Sequence, residues 1–300
     1  MTLFPISQQE LTTGETLSYR KVGKKGPVLV LLHGNLSSSV HFEKLMEQLK
    51  DHVQLLAIDM RGFGHSSYHQ SIASLTDLAR DVLNLLDLLA IDRCTVLGWS
   101  TGGGVALEMA ALRPKLIQQL VLLSSVGVKG YVTPKDNPLT ALGMFPFMIP
   151  ASKALTKWNP ALQKIEYALK HRREGLIRKI LAPLYQNNPI SEQEFQVYLD
   201  AAYQQRNYSD IFLSLFTFNI TLEHNGITLG NGHIEKIQAP VLIIHGDKDP
   251  VVSLDTAKLT HKALQPHSQL IVLEAGHSIL TDQLDQLTAL LKDYLYRPHD

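Results

Sequence analysis

Gly98-Trp99-Ser100-Thr101-Gly102 is the stretch that decides how this chain is read. It follows a short apolar run, Thr95–Leu97, and precedes a helix-like stretch, Gly102–Leu112, that stops before Arg113-Pro114. Gly-x-Ser-x-Gly between a strand and a helix marks a sharp turn that lifts a serine hydroxyl above a sheet. Side chains at the glycine positions would collide in so tight a turn. The helix that follows aims its first N–H groups at the place where negative charge would develop. A phosphate loop would need Gly-x-x-x-x-Gly-Lys-Ser/Thr, and no lysine stands at that spacing. A dinucleotide loop would need Gly-x-Gly-x-x-Gly, which is also missing here. A plain glycine-rich turn stays open on the pentapeptide alone.

Outward from this turn, short apolar runs recur at Val28–Leu32, Val53–Ile58, Leu120–Leu123 and Val241–Ile244. Their apolarity is continuous rather than alternating, as in a parallel sheet covered by helices on both faces. Two alternating segments, around Gln8–Thr12 and Leu17–Val22, read as an opening hairpin turning at Thr13-Gly14. Between the runs lie helical patterns. Ser74-Leu75-Thr76-Asp77 has capping-box spacing, and Leu78, Val82, Leu85 and Leu89 continue it on one face. Leu284, Leu287, Leu291 and Leu295 mark a final helix. Strand alternating with helix predicts an α/β class fold with a mostly parallel, doubly wound sheet.

The alternation breaks between about Gly127 and Glu235. Prolines at 134, 138, 146, 150, 160, 183 and 189 separate helix-like pieces there, one of them at Ser191–Gln204 with Ser191 and Glu194 at capping-box spacing. The stretch reads as a helical lid inserted into the sheet domain. The expected division is a core in two parts, 1–127 and 237–300, with the lid at 128–236. Apolar residues of the lid, among them Leu142, Met144, Phe145, Phe147, Met148, Ile149, Phe212, Leu215, Phe216 and Phe218, either cover something or form a small core of their own.

Composition narrows the function classes. The 300 residues carry 28 basic and 28 acidic side chains, so no net charge favours nucleic acid or an anionic membrane as partner. No apolar run is long enough to span a bilayer, and the N-terminus lacks the apolar segment of a secretory signal. With Cys94 as the single cysteine, an intrachain disulfide is impossible and a cytoplasmic location is the expectation. His65 and His69 are four apart but lie in a Gly/Ser-rich loop, so no metal is expected, and nothing implies a cofactor.

A serine hydroxyl is a weak nucleophile until a base removes its proton, and that base needs a carboxylate to fix its tautomer. Two later segments carry such groups after strand-like runs: His245-Gly246-Asp247-Lys248-Asp249-Pro250 and Glu274-Ala275-Gly276-His277. Carboxyl ends of strands are where an open α/β sheet places its site. Through these segments, His33-Gly34, Asp59-Met60-Arg61-Gly62-Phe63-Gly64-His65-Ser66 and the Ser100 turn, the chain resembles the α/β-hydrolase superfamily over nearly its whole length.

The resemblance implies Ser100 as nucleophile, His277 as base and Asp249, which closes a Gly-x-x-Asp turn, as the acid. It implies an oxyanion hole formed by the N–H of Thr101 and that of Asn35, with Leu36 as runner-up for the second donor. Trp99 and Leu36 are candidate substrate contacts, although Trp99 could equally just cover the turn. His33 reads as a structural residue of its loop, and Cys94 as a small core residue. Epoxide hydrolases and haloalkane dehalogenases carry aspartate where Ser100 stands, which argues against both. The resemblance thus leads to a carboxylic-ester hydrolase acting on a small to medium, partly apolar ester. Alternatives are a lactonase, a carbon–carbon bond hydrolase of dienoate ring-cleavage products, and an inactive receptor on the same fold.

Overall fold

The computed structural model describes residues 3–131 and 159–297. Its strands are β1 (Ile6–Glu10), β2 (Thr16–Val22), β3 (Val28–Leu32), β4 (Gln54–Asp59), β5 (Cys94–Trp99), β6 (Ile117–Leu123), β7 (Val241–Gly246) and β8 (Ser268–Leu273). They form one sheet in the order β1-β2-β4-β3-β5-β6-β7-β8. The β1–β2 hairpin and the β2–β4 pair are antiparallel, and every other pairing is parallel. The hairpin starts two residues earlier than its sequence pattern indicates, at Ile6, because β1 is an edge strand with little burial to mark it.

Continuous apolarity of the central strands has a direct structural counterpart. Val30, Leu32, Leu56, Ile58, Val96, Leu120 and Leu122 enter the core on one face of the sheet. Their neighbours Leu29, Leu31, Leu55, Ala57, Leu97, Val121 and Leu123 enter the core on the other. Successive side chains of a strand point to opposite faces, so a strand covered on both must be apolar at every position. The first face packs on helices α2 (Leu75–Leu88) and α3 (Thr101–Leu112), and the second on α1 (Glu43–Leu49) and the C-terminal helix Leu284–Leu295. Ser74 caps α2 with the reciprocal Ser74–Asp77 bonds its spacing predicts.

Between β6 and β7 the described residues form the helices Pro160–Lys170, Glu174–Leu181, Glu192–Tyr203 and Tyr208–Thr217. They constitute the helical lid. At the third of these the Ser191 side chain accepts from the Glu194 N–H, but the return bond of a capping box is not made. Instead the Glu194 carboxylate accepts from the Tyr198 hydroxyl at 2.8 Å and pairs with Lys44 at 2.6 Å. A tertiary contact to α1 therefore displaces the local cap. Phe212, Leu215, Phe216 and Phe218 join the core of the first face. Leu142, Met144, Phe145, Phe147, Met148 and Ile149, with the prolines at 134, 138, 146 and 150, lie outside the described residues. No described helix is long and apolar enough to cross a membrane.

Candidate active site

β5 ends in the Gly98–Gly102 turn at the centre of the sheet, and the backbone there is tightly constrained. Ser100 adopts φ +56° and ψ −120°, a conformation that costs a non-glycine residue about 1–3 kcal/mol. A Cβ on Gly98 would lie 2.3 Å from the Gly102 carbonyl oxygen, and one on Gly102 would lie 2.2 Å from that of Leu32. Only glycine lets the helix start so close to β5, which feeds it, and to the neighbouring β3. The turn is held by the Ser100 N–H on Leu123 O (3.0 Å), and by the Gly103 and Val126 N–H groups on Ser100 O.

Asp249 and His277 come from the loops after β7 and β8. His277 Nδ1 lies 2.8 Å from Asp249 Oδ2. A carboxylate only accepts, so Nδ1 carries the proton and Nε2 is the free base of the ring. Asp249 Oδ1 takes the N–H groups of Val251 (2.8 Å) and Val252 (2.9 Å). Burial pushes the Asp249 carboxyl up, but the His277 and His245 imidazoles and these bonds outweigh it and hold it below the usual carboxylate range. His245, fully buried, donates from Nε2 to Val252 O at 2.9 Å and stands 3.6 Å from Asp249 Oδ2. Burial pushes His245 down, so it closes the Asp249 loop as a neutral ring.

One cavity of about 120 Å³ gathers the sequence candidates. Ser100, Thr101, Asn35, Leu36, Trp99 and His277 all line it, with Asp249 behind His277. Ser100 Oγ and the His277 ring share the cavity without a hydrogen bond between them; catalytic bonds are often long until substrate arrives. The N–H groups of Asn35 and Thr101 have no acceptor among the described residues. The Leu36 N–H is already bound, to Gln205 Oε1 at 2.9 Å. Trp99 both lines the cavity and covers the turn: its indole N–H donates to His277 O at 3.0 Å, and its ring lies 5.7 Å from the imidazole.

His33 is absent from the cavity wall. Its Nε2 accepts the Met60 N–H at 3.1 Å and its Nδ1 lies 2.8 Å from Gly34 O, which ties the Asn35 loop to the end of β4. Cys94 is buried in the core and its thiol is pushed up to about 12 by that burial. The described residues contain no cluster of three His, Cys, Asp or Glu side chains able to hold a metal.

The lid supplies wall residues that sequence reading did not single out, Ile180, Leu181, Leu184 and Tyr208, beside Pro183, Phe212 and Leu215. Helical periodicity shows that these helices have an apolar face, but not what that face covers. Gln205 carries no motif at all.

Comparison with known proteins agrees with this architecture. Residues 27–283 match the family described as alpha/beta hydrolase fold. The chain is 26% identical over 282 residues to YugF, an uncharacterized hydrolase of Bacillus subtilis, covering 92% of each. It is 22% identical over 294 residues to a 2-hydroxy-6-oxo-2,4-heptadienoate hydrolase of Pseudomonas putida, covering 97% of this chain and 96% of that one. The solved esterase EaEST of Exiguobacterium antarcticum superposes with a TM-score of 0.73 at 19% identity, over 97% of this chain and 99% of that one.

Proposed function

Since the chain belongs to the α/β-hydrolase fold family, we propose that it is a serine carboxylic-ester hydrolase working through an acyl-enzyme. Ser100 Oγ attacks the acyl carbon of the ester while His277 Nε2 takes its proton. Asp249 keeps the imidazole in the required tautomer and stabilises its cation. The oxyanion of the tetrahedral intermediate accepts from the Asn35 and Thr101 N–H groups, and each such donor is worth about 3–4 kcal/mol in the transition state. His277 then returns the proton to the leaving alcohol. Water repeats the cycle to release the acid.

The observation that carries this reading is the 2.8 Å contact of Asp249 with His277, whose ring lines one cavity with Ser100 and with Asn35 and Thr101, whose N–H groups have no acceptor among the described residues. Substrate class follows from the wall. Its described residues include no Lys, Arg, Asp or Glu, and most are aliphatic or aromatic. The mostly apolar described wall supports a neutral, partly apolar ester. A cavity of about 150 Å³ holds benzene, so 120 Å³ suits a short acyl chain.

The test is intact mass after fluorophosphonate treatment, together with turnover of p-nitrophenyl acetate, butyrate and octanoate. Wild-type protein should take one adduct and prefer the two shorter esters. Ser100→Ala should take none and lose on the order of 10⁶-fold in kcat while staying folded. A well-folded wild type that neither labels nor turns over these esters would leave the inactive-receptor reading in its place.

A further inference from the structure

We infer that Gln205, at the C-terminal end of the lid helix Glu192–Tyr203, is a positioning residue that sets the oxyanion hole of the Ser100 site. The inference rests on the proposed acyl transfer and adds to it a link between lid and hole. Gln205 is buried. Its Oε1 accepts the Leu36 N–H at 2.9 Å, and its Nε2 donates to Asn35 Oδ1 at 2.6 Å and to Asn207 Oδ1 at 3.0 Å.

The direction of these bonds is fixed at both ends. A backbone N–H can only donate, so the oxygen of the Gln205 amide must face Leu36 and its nitrogen must face the two asparagines. At the far end the Asn207 Nδ2 donates to the Arg61 carbonyl at 2.7 Å, which independently turns the Asn207 oxygen toward Gln205. A chain of donors thus runs from Leu36 through Gln205 and Asn207 to the loop after β4. The Arg206 N–H extends this anchor to Gly62 O at 2.8 Å, and its guanidinium reaches the Gly64 and Ser66 carbonyls.

What the anchor holds is a strained residue. Leu36 sits at φ +53°, which a branched side chain tolerates only where its surroundings enforce it. In this loop the Asn35 N–H has no acceptor among the described residues, while the next N–H is turned into the lid. Without Gln205, Leu36 is free to relax and the Asn35 side chain loses its anchor, so the Gly34–Asn35 peptide, which carries the second donor, can turn away from the oxyanion. A displacement of about 1 Å at such a group costs about 10²-fold in rate.

The deciding variants are Gln205→Met, which keeps the length and drops every hydrogen bond, and Gln205→Glu. The carboxylate still accepts from Leu36, and the Asn35 amide can turn to donate to it, while Asn207 keeps its bond to the Arg61 carbonyl. With p-nitrophenyl acetate, Gln205→Met should lose about 10²-fold in kcat with KM within about threefold. Its affinity for a trifluoromethyl ketone, whose adduct with Ser100 bears the same oxyanion, should fall by the same factor as kcat/KM. Gln205→Glu should stay within about tenfold of wild type on both measures. A folded Gln205→Met with wild-type kcat and ketone affinity overturns the inference, as does a kcat loss without the matching loss of ketone affinity. If Gln205→Met does not fold, Gln205→Glu decides: a folded Glu variant down by about 10²-fold or more in kcat overturns it. Wild-type protein without a Ser100 adduct or ester turnover removes the proposed function and this inference together. Normal labelling and turnover with an unaffected Gln205→Met removes this inference alone.

Discussion

On one side of Ser100 the groups bond directly only to the sheet domain; on the other the lid holds them as well. Asp249 and His277 stand on the loops after β7 and β8, and their partners, Val251, Val252, His245 and Trp99, all belong to the core. Asn35 and Leu36 stand on the loop after β3, yet Gln205 binds both of them from the lid. The direct partners of Asp249 and His277 are thus core residues, with the lid reaching only further along their loop, at Thr281 and Asp282. Asn35 and Leu36, in contrast, are bound directly from the lid by Gln205, in addition to the His33 and Ser37 bonds that hold Gly34 from the core. In the proposed mechanism the oxyanion hole is used only in the transition state, so a lid residue that helps to set it would govern kcat without touching His277 and Asp249.

The largest expected effect is on the core-built side. Asp249→Asn leaves the shape of the loop but offers the His277 ring an amide in place of a carboxylate. The imidazole then loses both its enforced tautomer and the stabilisation of its cation. By analogy with other triads kcat should fall about 10⁴-fold, measured with p-nitrophenyl acetate at saturating concentration. A loss below about tenfold would show that another group orients His277; His245 stands 3.6 Å from the Asp249 carboxylate. The comparison then sharpens: Asp249→Asn should lose far more than Gln205→Met, because the relay has no second route.

Acid should weaken both sides through buried neutral imidazoles. Burial pushes the His33 ring down, and it pushes His41, whose ring stacks on Tyr198 of the lid, down to about 3 from an ordinary 6.5. His245 is lowered for the same reason. Between the folded and unfolded values the unfolded chain binds more protons, so stability rises with pH there. The contribution is complete above about 6.5 and is lost as pH falls below it, down to about 3 for His41, by up to about 1.4 kcal/mol per pH unit for each ring. Asp249, whose carboxyl is held low, adds a loss only below the ordinary carboxylate range. Urea unfolding at pH 7.5, 6, 5 and 4 should show the decline begin near 6.5. Constant stability down to pH 5 would mean that these rings open to water and take up protons without unfolding.

The difference between the two sides is also a difference in what the sequence reveals. The Ser100 turn is legible because its geometry demands glycine at fixed positions, and β3, β4 and β6 are legible because burial on both faces demands apolar runs. Asp249 and His277 are readable as candidates from chain order and strand ends, through the family resemblance. Between Asn35 and Leu36 the sequence leaves a choice, and the hydrogen bond that engages the Leu36 N–H comes from a residue 169 positions away. No local spacing encodes such a contact. The same holds for Glu194, whose capping-box position is real but whose carboxylate is taken by Tyr198 and Lys44. The short helices Glu43–Leu49 and Leu254–Ala263 escape the pattern because few turns present few apolar repeats.

The smallest effect tests how firmly the core alone holds His277. The Trp99 indole N–H is a buried donor to the His277 carbonyl, and Trp99→Phe removes it while keeping an aromatic ring in place. The carbonyl left without a partner should cost about 1–3 kcal/mol of stability, seen as a lower melting temperature. Because the Asp249 bond still orients the imidazole, kcat should fall by no more than about tenfold, equivalent to about 1.4 kcal/mol. Wild-type kcat with lowered stability would show that Asp249 and the loop after β8 suffice for alignment. A fall of about 10³-fold would place part of the burden of aligning the base on Trp99, and the core-built side would then depend on the same turn that presents the nucleophile.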